Sequence, residues 1–196
     1  GTVYAAIGIF YTDGIYKSTN GEDFIELNNF PVSGCHRLEI AIAPSNENIL
    51  YVVGAALNPS LFGNCGLCDD VGVFGKSEDG GNTWSNINIP LIEQGNSDEL
   101  NVHYTRSQAW YNLILAVDPT DPLTVYAGGI NIHKSNNGGD AWEQISSWRD
   151  PNSDPAPYVH ADQHAIAFRP GASNTFIVGN DGGVHMTTDA GDTFTS

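Results

Sequence analysis

Positive charge is what this sequence has least of: seven Lys and Arg stand against 23 Asp and Glu, leaving a formal net charge of −16 over 196 residues. A field of that sign repels phosphate backbones and anionic bilayers, which excludes nucleic acid as a partner class. No apolar run approaches the roughly 20 residues that cross a bilayer, so no membrane insertion is expected. Cysteine occurs three times. Cys35, Cys65 and Cys68 allow one disulfide and one leftover thiol in an oxidising compartment, or three reduced thiols. Cys65-Gly-Leu-Cys68 has the spacing of a redox or zinc half-site, but no second pair follows it. No initiator Met and no charged-then-apolar leader opens the chain. Gly1-Thr-Val-Tyr-Ala-Ala-Ile7 already reads as a strand, and the expectation is a mature or excised piece of something longer.

What recurs instead is a turn. Ser18-Thr-Asn-Gly-Glu-Asp-Phe24, Ser77-Glu-Asp-Gly-Gly-Asn-Thr-Trp84, Ser135-Asn-Asn-Gly-Gly-Asp-Ala-Trp142 and Thr187-Thr-Asp-Ala-Gly-Asp-Thr-Phe194 begin 59, 58 and 52 residues apart. A fixed period of this kind marks a repeat architecture. Asn20, Asp79, Asn137 and Asp189 can each fold a side chain onto backbone N–H groups. Gly21, Gly81, Gly139 and Gly191 supply positive φ, and the closing aromatic anchors the next strand. The turn is structural before it is anything else. It resembles the Asp-box, or BNR, repeat of the β-propeller superfamily that includes sialidases, sortilin-type receptors and xyloglucan hydrolases. The resemblance covers essentially the whole chain and is specific for fold rather than activity.

Aligned on the turns, each repeat holds an alternating strand ending in Pro, a short turn, a second strand, a strand entering the Asp box, and an aromatic-led fourth. The first strands are Leu38-Glu-Ile-Ala-Ile-Ala-Pro44, Leu113-Ile-Leu-Ala-Val-Asp-Pro119 and His164-Ala-Ile-Ala-Phe-Arg-Pro170. Four short antiparallel strands per repeat, without helical periodicity, predict an all-β chain of four-stranded propeller blades. About four blades are present, near 1–33, 34–102, 103–159 and 160–196. The first lacks its first strand and the last is cut as its fourth begins. A ring that small would close poorly, so the reading is a sector of a larger propeller whose remaining blades belong to the parent chain.

Loop length separates the two faces of such a sector. First-to-second turns are minimal and third-to-fourth turns are the Asp boxes, so that face is tied down. The opposite face carries 58–70, 87–109 and 146–159, and long loops on a rigid scaffold are where binding usually sits. All three cysteines fall at that end, which topologically allows a bridge from Cys35 to Cys65 or Cys68, besides a Cys65–Cys68 pair.

The sharpest local feature is His160-Ala-Asp162-Gln-His164, running into a first strand. A period of two puts His160, Asp162 and His164 on one face if the strand begins that early. They could then act as metal ligands, with calcium or zinc the candidate ions, or as a proton-transfer pair, with Asp162 the candidate catalytic carboxylate. Same-face neighbours sit roughly 6.5–7 Å apart on an ideal strand, so all three cannot grip one ion without a bend. The alternative is a structural hydrogen-bonding role near the central channel. The motif, followed by Gly179-Asn-Asp-Gly-Gly-Val184, is similar to that of bacterial secreted Asp-box proteins.

His36, Arg37, His103, Tyr104, Arg106, Trp110 and Tyr111 extend a polar and aromatic rim suited to sugar or peptide contacts, with loop packing as the plainer role. A sialidase-like site requires an arginine cluster, and four Arg in all, with Phe168-Arg-Pro170 at a tight turn on the other face, do not supply it. A xyloglucan-hydrolase-like site requires two facing carboxylates. Asp162 is the channel-side candidate for one, and Asp69, Asp70, Asp98, Glu99 and Asp154 are loop candidates for the other. Asp-rich loops at 68–70 and 150–154 are calcium candidates without the spacing of a known calcium loop. The functional expectation is a secreted, extracellular module that binds a glycan or an extracellular protein through its long-loop face. The alternatives are a glycoside hydrolase of the same superfamily and a sortilin-like peptide receptor.

Overall fold

The structure, a computed structural model, describes residues 1–8, 14–27, 29, 35–57, 69–92, 102–149 and 156–196, apart from the side chains at 36, 57 and 69. Among these residues there are strands and no helix. The first sheet holds β1 (Val3–Ile7), β2 (Gly14–Ser18) and β3 (Ile25–Glu26). The second holds β4 (Cys35–Ile42), β5 (Leu50–Leu57), β6 (Asp69–Ser77) and β7 (Ser85–Asn86). The third holds β8 (Ile114–Val117), β9 (Val125–Gly128), β10 (Ile132–Ser135) and β11 (Glu143–Gln144). The fourth holds β12 (Gln163–Phe168), β13 (Phe176–Asn180) and β14 (Gly183–Thr187), and a bridge from Met186 to Thr195 opens its fourth strand. Every neighbouring pair is antiparallel and each sheet runs in chain order. The all-β sector of four blades, the first and last incomplete, is therefore what the turns and strand spacing predicted.

The four turns share one mechanism. A Ser or Thr ends the third strand, and its hydroxyl donates to an Asn or Asp side chain two residues on: Asn20 at 3.0 Å, Asp79 at 2.9 Å, Asn137 at 2.8 Å and Asp189 at 2.7 Å. The same hydroxyl accepts a glycine N–H, from Gly21 at 2.9 Å, Gly81 at 2.8 Å, Gly139 at 2.9 Å and Gly191 at 3.0 Å. The Asn or Asp Oδ1 then accepts the N–H of Asp23, Thr83, Ala141 or Thr193 at 2.8–2.9 Å. Each turn thus satisfies most of its backbone donors locally, while Gly80, Gly138 and Ala190 donate to the carbonyls of Asn48, Leu123 and Asn174 in the adjacent turn at 2.8–2.9 Å.

The core lies between blades. Ile15, Leu38 and Val52 join the first to the second, and Tyr51, Val117 and Val125 the second to the third. Tyr126, Ile132, Phe176 and Val178 join the third to the fourth. A cross-strand Tyr–Lys pair recurs at the same register as Tyr4 with Lys17, Tyr51 with Lys76 and Tyr126 with Lys134. It reaches toward the following blade. Tyr4 Oη and Lys17 Nζ donate to the Gly80 carbonyl at 3.0 and 2.8 Å, and Tyr51 Oη donates to that of Pro122 at 2.9 Å. Tyr126 instead meets Phe168 and Phe176 edge to face, with centroids 5.3 and 5.2 Å away. In the fourth blade the pair is Ile177 with Met186, both exposed. On the outer face of the first blade an apolar hollow of about 430 Å³ is lined by Ala5, Ile7, Tyr16 and Phe24.

Candidate functional site

The first strands β4, β8 and β12 adjoin one another, with β1 beside β4, so the segments leading into them meet at one end. The stretch from His103 to Asn112 is wound into turns by Arg106 N–H to His103 O at 2.9 Å and Gln108 N–H to Thr105 O at 3.0 Å. Arg106 and Ser107 take positive φ of 47° and 61°. This winding delivers Trp110 and Tyr111 to the start of β8. Arg37 on β4 fixes them there. Its guanidinium donates to the carbonyls of Trp110 (3.2 Å), Tyr111 (2.6 Å) and Leu113 (2.7 Å), and to Glu39 Oε1 at 2.8 Å. A planar fork with several fixed N–H directions suits that task, and a point-charge ammonium does not. Arg37 therefore works beneath the rim.

Above that staple, Tyr111, Asp181 and His164 form one unit. Tyr111 Oη donates to Asp181 at 2.9 Å, and His164 Nε2 lies 2.6 Å from the same carboxylate. The two rings meet edge to face with centroids 4.8 Å apart. Trp110 packs beside Tyr111 at 5.4 Å and is 50% exposed. The hydrogen bonds from His164 and Tyr111 hold the Asp181 carboxyl below its ordinary range. The same bond to Asp181 raises the Tyr111 phenol. A tyrosine that keeps its proton is a donor rather than a nucleophile, and a carboxylate that stays ionised is an acceptor rather than a general acid.

The row of His160, Asp162 and His164 does not form. The strand begins only at Gln163, and Asp162 takes a left-handed φ of 64°, which breaks the alternation. Asp162 accepts from the amide of Asn112 at 2.8 Å instead. The ring of His160 lies against Gly182, where a Cβ would collide with it, and its Nδ1 is 3.1 Å from the Ala161 carbonyl. Buried Gln163 locks the segment by donating to the carbonyls of His160 (2.6 Å) and Ile130 (3.1 Å). His164 and Asp162 thus reach the rim by separate routes.

Tyr104 is not a rim residue. It is wholly buried in the core with Phe74 and Leu113, because the turns after His103 fold it inward. His103 faces the buried Asp70, its Nδ1 being 3.1 Å from Oδ1, and Thr105 Oγ1 donates to the same oxygen at 2.8 Å. Burial pushes the Asp70 carboxyl up, but the bonds from His103, Thr105 and the Val71 N–H outweigh it and leave it low. Asp70 is buried and paired with His103 and Thr105 inside the protein. Arg106 is half-buried. The side chain of His36 lies outside the described residues, as do Cys65, Cys68 and the stretch 150–154. Cys35 is the first residue of β4 rather than part of a loop, and burial raises its thiol to about 11. Among the described residues no group of three His, Cys, Asp or Glu converges as a metal site.

Sequence reasoning missed Asp181 and the role of Asn112. Asp181 sits in the β13–β14 turn, fixed by the Gly182 N–H donating to Asn180 Oδ1 at 3.0 Å. The only signal was its place in an Asn-Asp-Gly-Gly turn at the loop end of the blade.

No protein-family model and no curated protein matches the chain. Solved structures do. A GH74 enzyme from Niastella koreensis superposes on all of this chain with a TM-score of 0.61 at 22% identity, over 27% of its own length. The GH74 xyloglucanase from Xanthomonas campestris does so with a TM-score of 0.62 at 16% identity, over 28% of its own length. YCF48 from Cyanidioschyzon merolae matches 85% of this chain with a TM-score of 0.51 at 16% identity, over 40% of its own. This chain spans about a quarter of the length of the two GH74 structures. Likeness at such identities concerns architecture alone, and on that ground the chain is a sector of a β-propeller.

Proposed function

We propose that the rim at the loop end of β8 and β12 binds a glycan, and that the protein works outside the cell as a carbohydrate-binding propeller. The observation that carries this reading is Trp110 at 50% exposure beside the Tyr111–Asp181–His164 unit. An open indole offers a flat apolar face to a sugar ring, and a fixed carboxylate, phenol and imidazole beside it can pair with hydroxyls. The scaffold is rigid where it matters, since Arg37 and Asn112 hold the aromatic segment from below. Binding fits better than hydrolysis at this place. Glycoside hydrolysis requires a carboxylic acid held protonated, and Asp181 is displaced in the opposite direction. The GH74 neighbours lend the glycan class its support, together with the low-lysine, Asn- and Gly-rich composition.

The test screens the full-length protein against a polysaccharide panel, scoring both retention and released sugar, with Trp110→Ala and Asp162→Asn alongside. Retention that Trp110→Ala abolishes, with no sugar released, is the expected result. Released sugar lost in Asp162→Asn would make the protein a hydrolase, and silence across the panel would remove the glycan reading.

A further inference from the structure

Resting on the glycan reading, we infer that Gln163 and Asn180 are the positioning residues of the rim: one buried pair of amides sets where His164 and Asp181 stand, and through them the affinity for sugar. The pair lies one layer below the binding surface. Gln163 is wholly buried and Asn180 nearly so, and the two face each other on the β12–β13 ladder.

Three backbone segments meet on this pair. Gln163 Nε2 donates to the His160 carbonyl at 2.6 Å and to that of Ile130 at 3.1 Å. The Ile130 N–H in turn donates to Tyr104 O at 3.0 Å, in the stretch that delivers Tyr111. Gln163 Oε1 accepts from Asn180 Nδ2 at 3.4 Å, and the same nitrogen lies 3.1 Å from His185 Nδ1. Asn180 Oδ1 accepts the Gly182 N–H at 3.0 Å, which fixes the turn carrying Asp181. Tyr111, His164 and Asp181 therefore each hang from a segment that the two amides hold.

The ladder shows what this holding accomplishes. Gln163 faces Asn180 and Ala165 faces Gly179, so His164 is an extra residue in β12. A bulge of this kind bends its strand and re-aims the side chain it inserts. Gln163 anchors the bulge to the third blade, since its own N–H donates to Gly129 O at 2.9 Å. The inserted His164 is turned outward, with Nε2 2.6 Å from Asp181.

The second blade supplies an independent sign. Counted along the ladders from Ile177 and from Tyr51, the equivalent position there is Leu38 facing Gly54, a core leucine against a glycine. A blade thus closes at this point with apolar packing alone. Burying two amides in its place costs free energy unless their bonds are made, and the blade ladder itself does not require them. What they add is a fixed relation among three rim segments, and a site held beforehand in its bound geometry loses less freedom when ligand arrives.

The test grafts the apolar pair into the full-length protein as the double variant Gln163→Leu, Asn180→Gly, with Gln163→Met as a milder second variant. The probe is a β-1,4-linked glucose hexasaccharide, titrated near pH 7 and well below every melting temperature. Both variants are expected to bind it about tenfold more weakly, because the rim must then be ordered on binding. Nuclear magnetic resonance on the same samples gives a readout that packing alone would not move. The His164 Nε2 proton, held on Asp181, should lose its protection from exchange, and the Asp181 carboxyl, kept low chiefly by His164, should titrate closer to its ordinary value. Wild-type affinity with both signals in place overturns the inference, and so does weaker binding with both signals unmoved, which would make the amides a matter of stability alone. Failure of the wild type to bind the hexasaccharide counts against the glycan reading and not against this one, which the two signals then decide.

Discussion

Ala190→Gly should stabilise this protein, although it removes a methyl group and adds no contact. The residue after the Asn or Asp of each turn is left-handed: Gly21, Gly80 and Gly138 at φ 81°, 69° and 72°, and Ala190 at 61°. Only the fourth copy asks a residue with a Cβ to take that conformation, at a cost of about 1–2 kcal/mol. Glycine loses more freedom on folding, which returns about 0.4–1 kcal/mol to the unfolded state. The net gain is about 0.5–1 kcal/mol, or about 1–4 °C in melting temperature for a chain of this size. The Ala190 N–H donates to Asn174 O at 2.9 Å, and glycine keeps that bond. Calorimetry gives the global shift, and hydrogen exchange at Gly191 and Thr193, whose amides are bonded inside the turn, gives the local one. The mirror change, Gly80→Ala, should cost at least as much, because its Cβ would also lie 3.2 Å from Lys17 Nζ and 3.3 Å from Tyr4 Oη. A melting point that Ala190→Gly leaves unchanged or lowers, with exchange at the two amides unaltered, refutes the argument.

Arg37→Lys should destabilise the protein by about 1–3 kcal/mol, because one ammonium cannot serve Glu39 and three carbonyls; a shift in Trp110 fluorescence reports release of the rim segment. Acid should unfold the protein in two legs. Burial holds His133 down at about 4, so its contribution is full above its ordinary 6.5 and fades as pH falls toward 4, where the unfolded chain takes the proton first. Asp79 is held at about 2, chiefly by Thr83, so its contribution is full above the ordinary 3.8 and is lost as pH falls through 2. Asp79→Asn, the amide that the first and third turns already use, should shrink the second leg, to which Asp70, Asp181 and Asp189 also contribute, and leave the first unchanged, which stability measured against pH will show. The Cys35 thiol should resist iodoacetamide in the native protein and react at once in denaturant, as peptide mapping by mass spectrometry resolves; rapid native labelling would contradict its burial.

The strands were legible because each is bracketed by local signals: Pro44, Pro119 and Pro170 after the first strands, the Asp box after the third, and alternation between. Trp110, Tyr111, His164 and Asp181 gather at the end that carries the long loops, which loop lengths alone had singled out. What failed was inference from spacing across a strand boundary. His160 and Asp162 were placed on one face by counting, yet a single left-handed residue at 162 resets the count. Tyr104 looked like its neighbours Trp110 and Tyr111, and only the turns between them send it inward. Asp181 joins Tyr111 across 70 residues, a contact no local pattern encodes, so its turn read as punctuation.

The Tyr–Lys pair gives the first blade a donor side that the Asp-box turn of the second answers with the Gly80 carbonyl, and Tyr51 of the second blade likewise reaches the Pro122 carbonyl of the third. From the third blade onward the junction is made by apolar contact instead, Tyr126 against Phe168 and Phe176, and the paired Ile177 and Met186 leave the corresponding face of the fourth blade greasy where the earlier blades carry a hydroxyl and an ammonium.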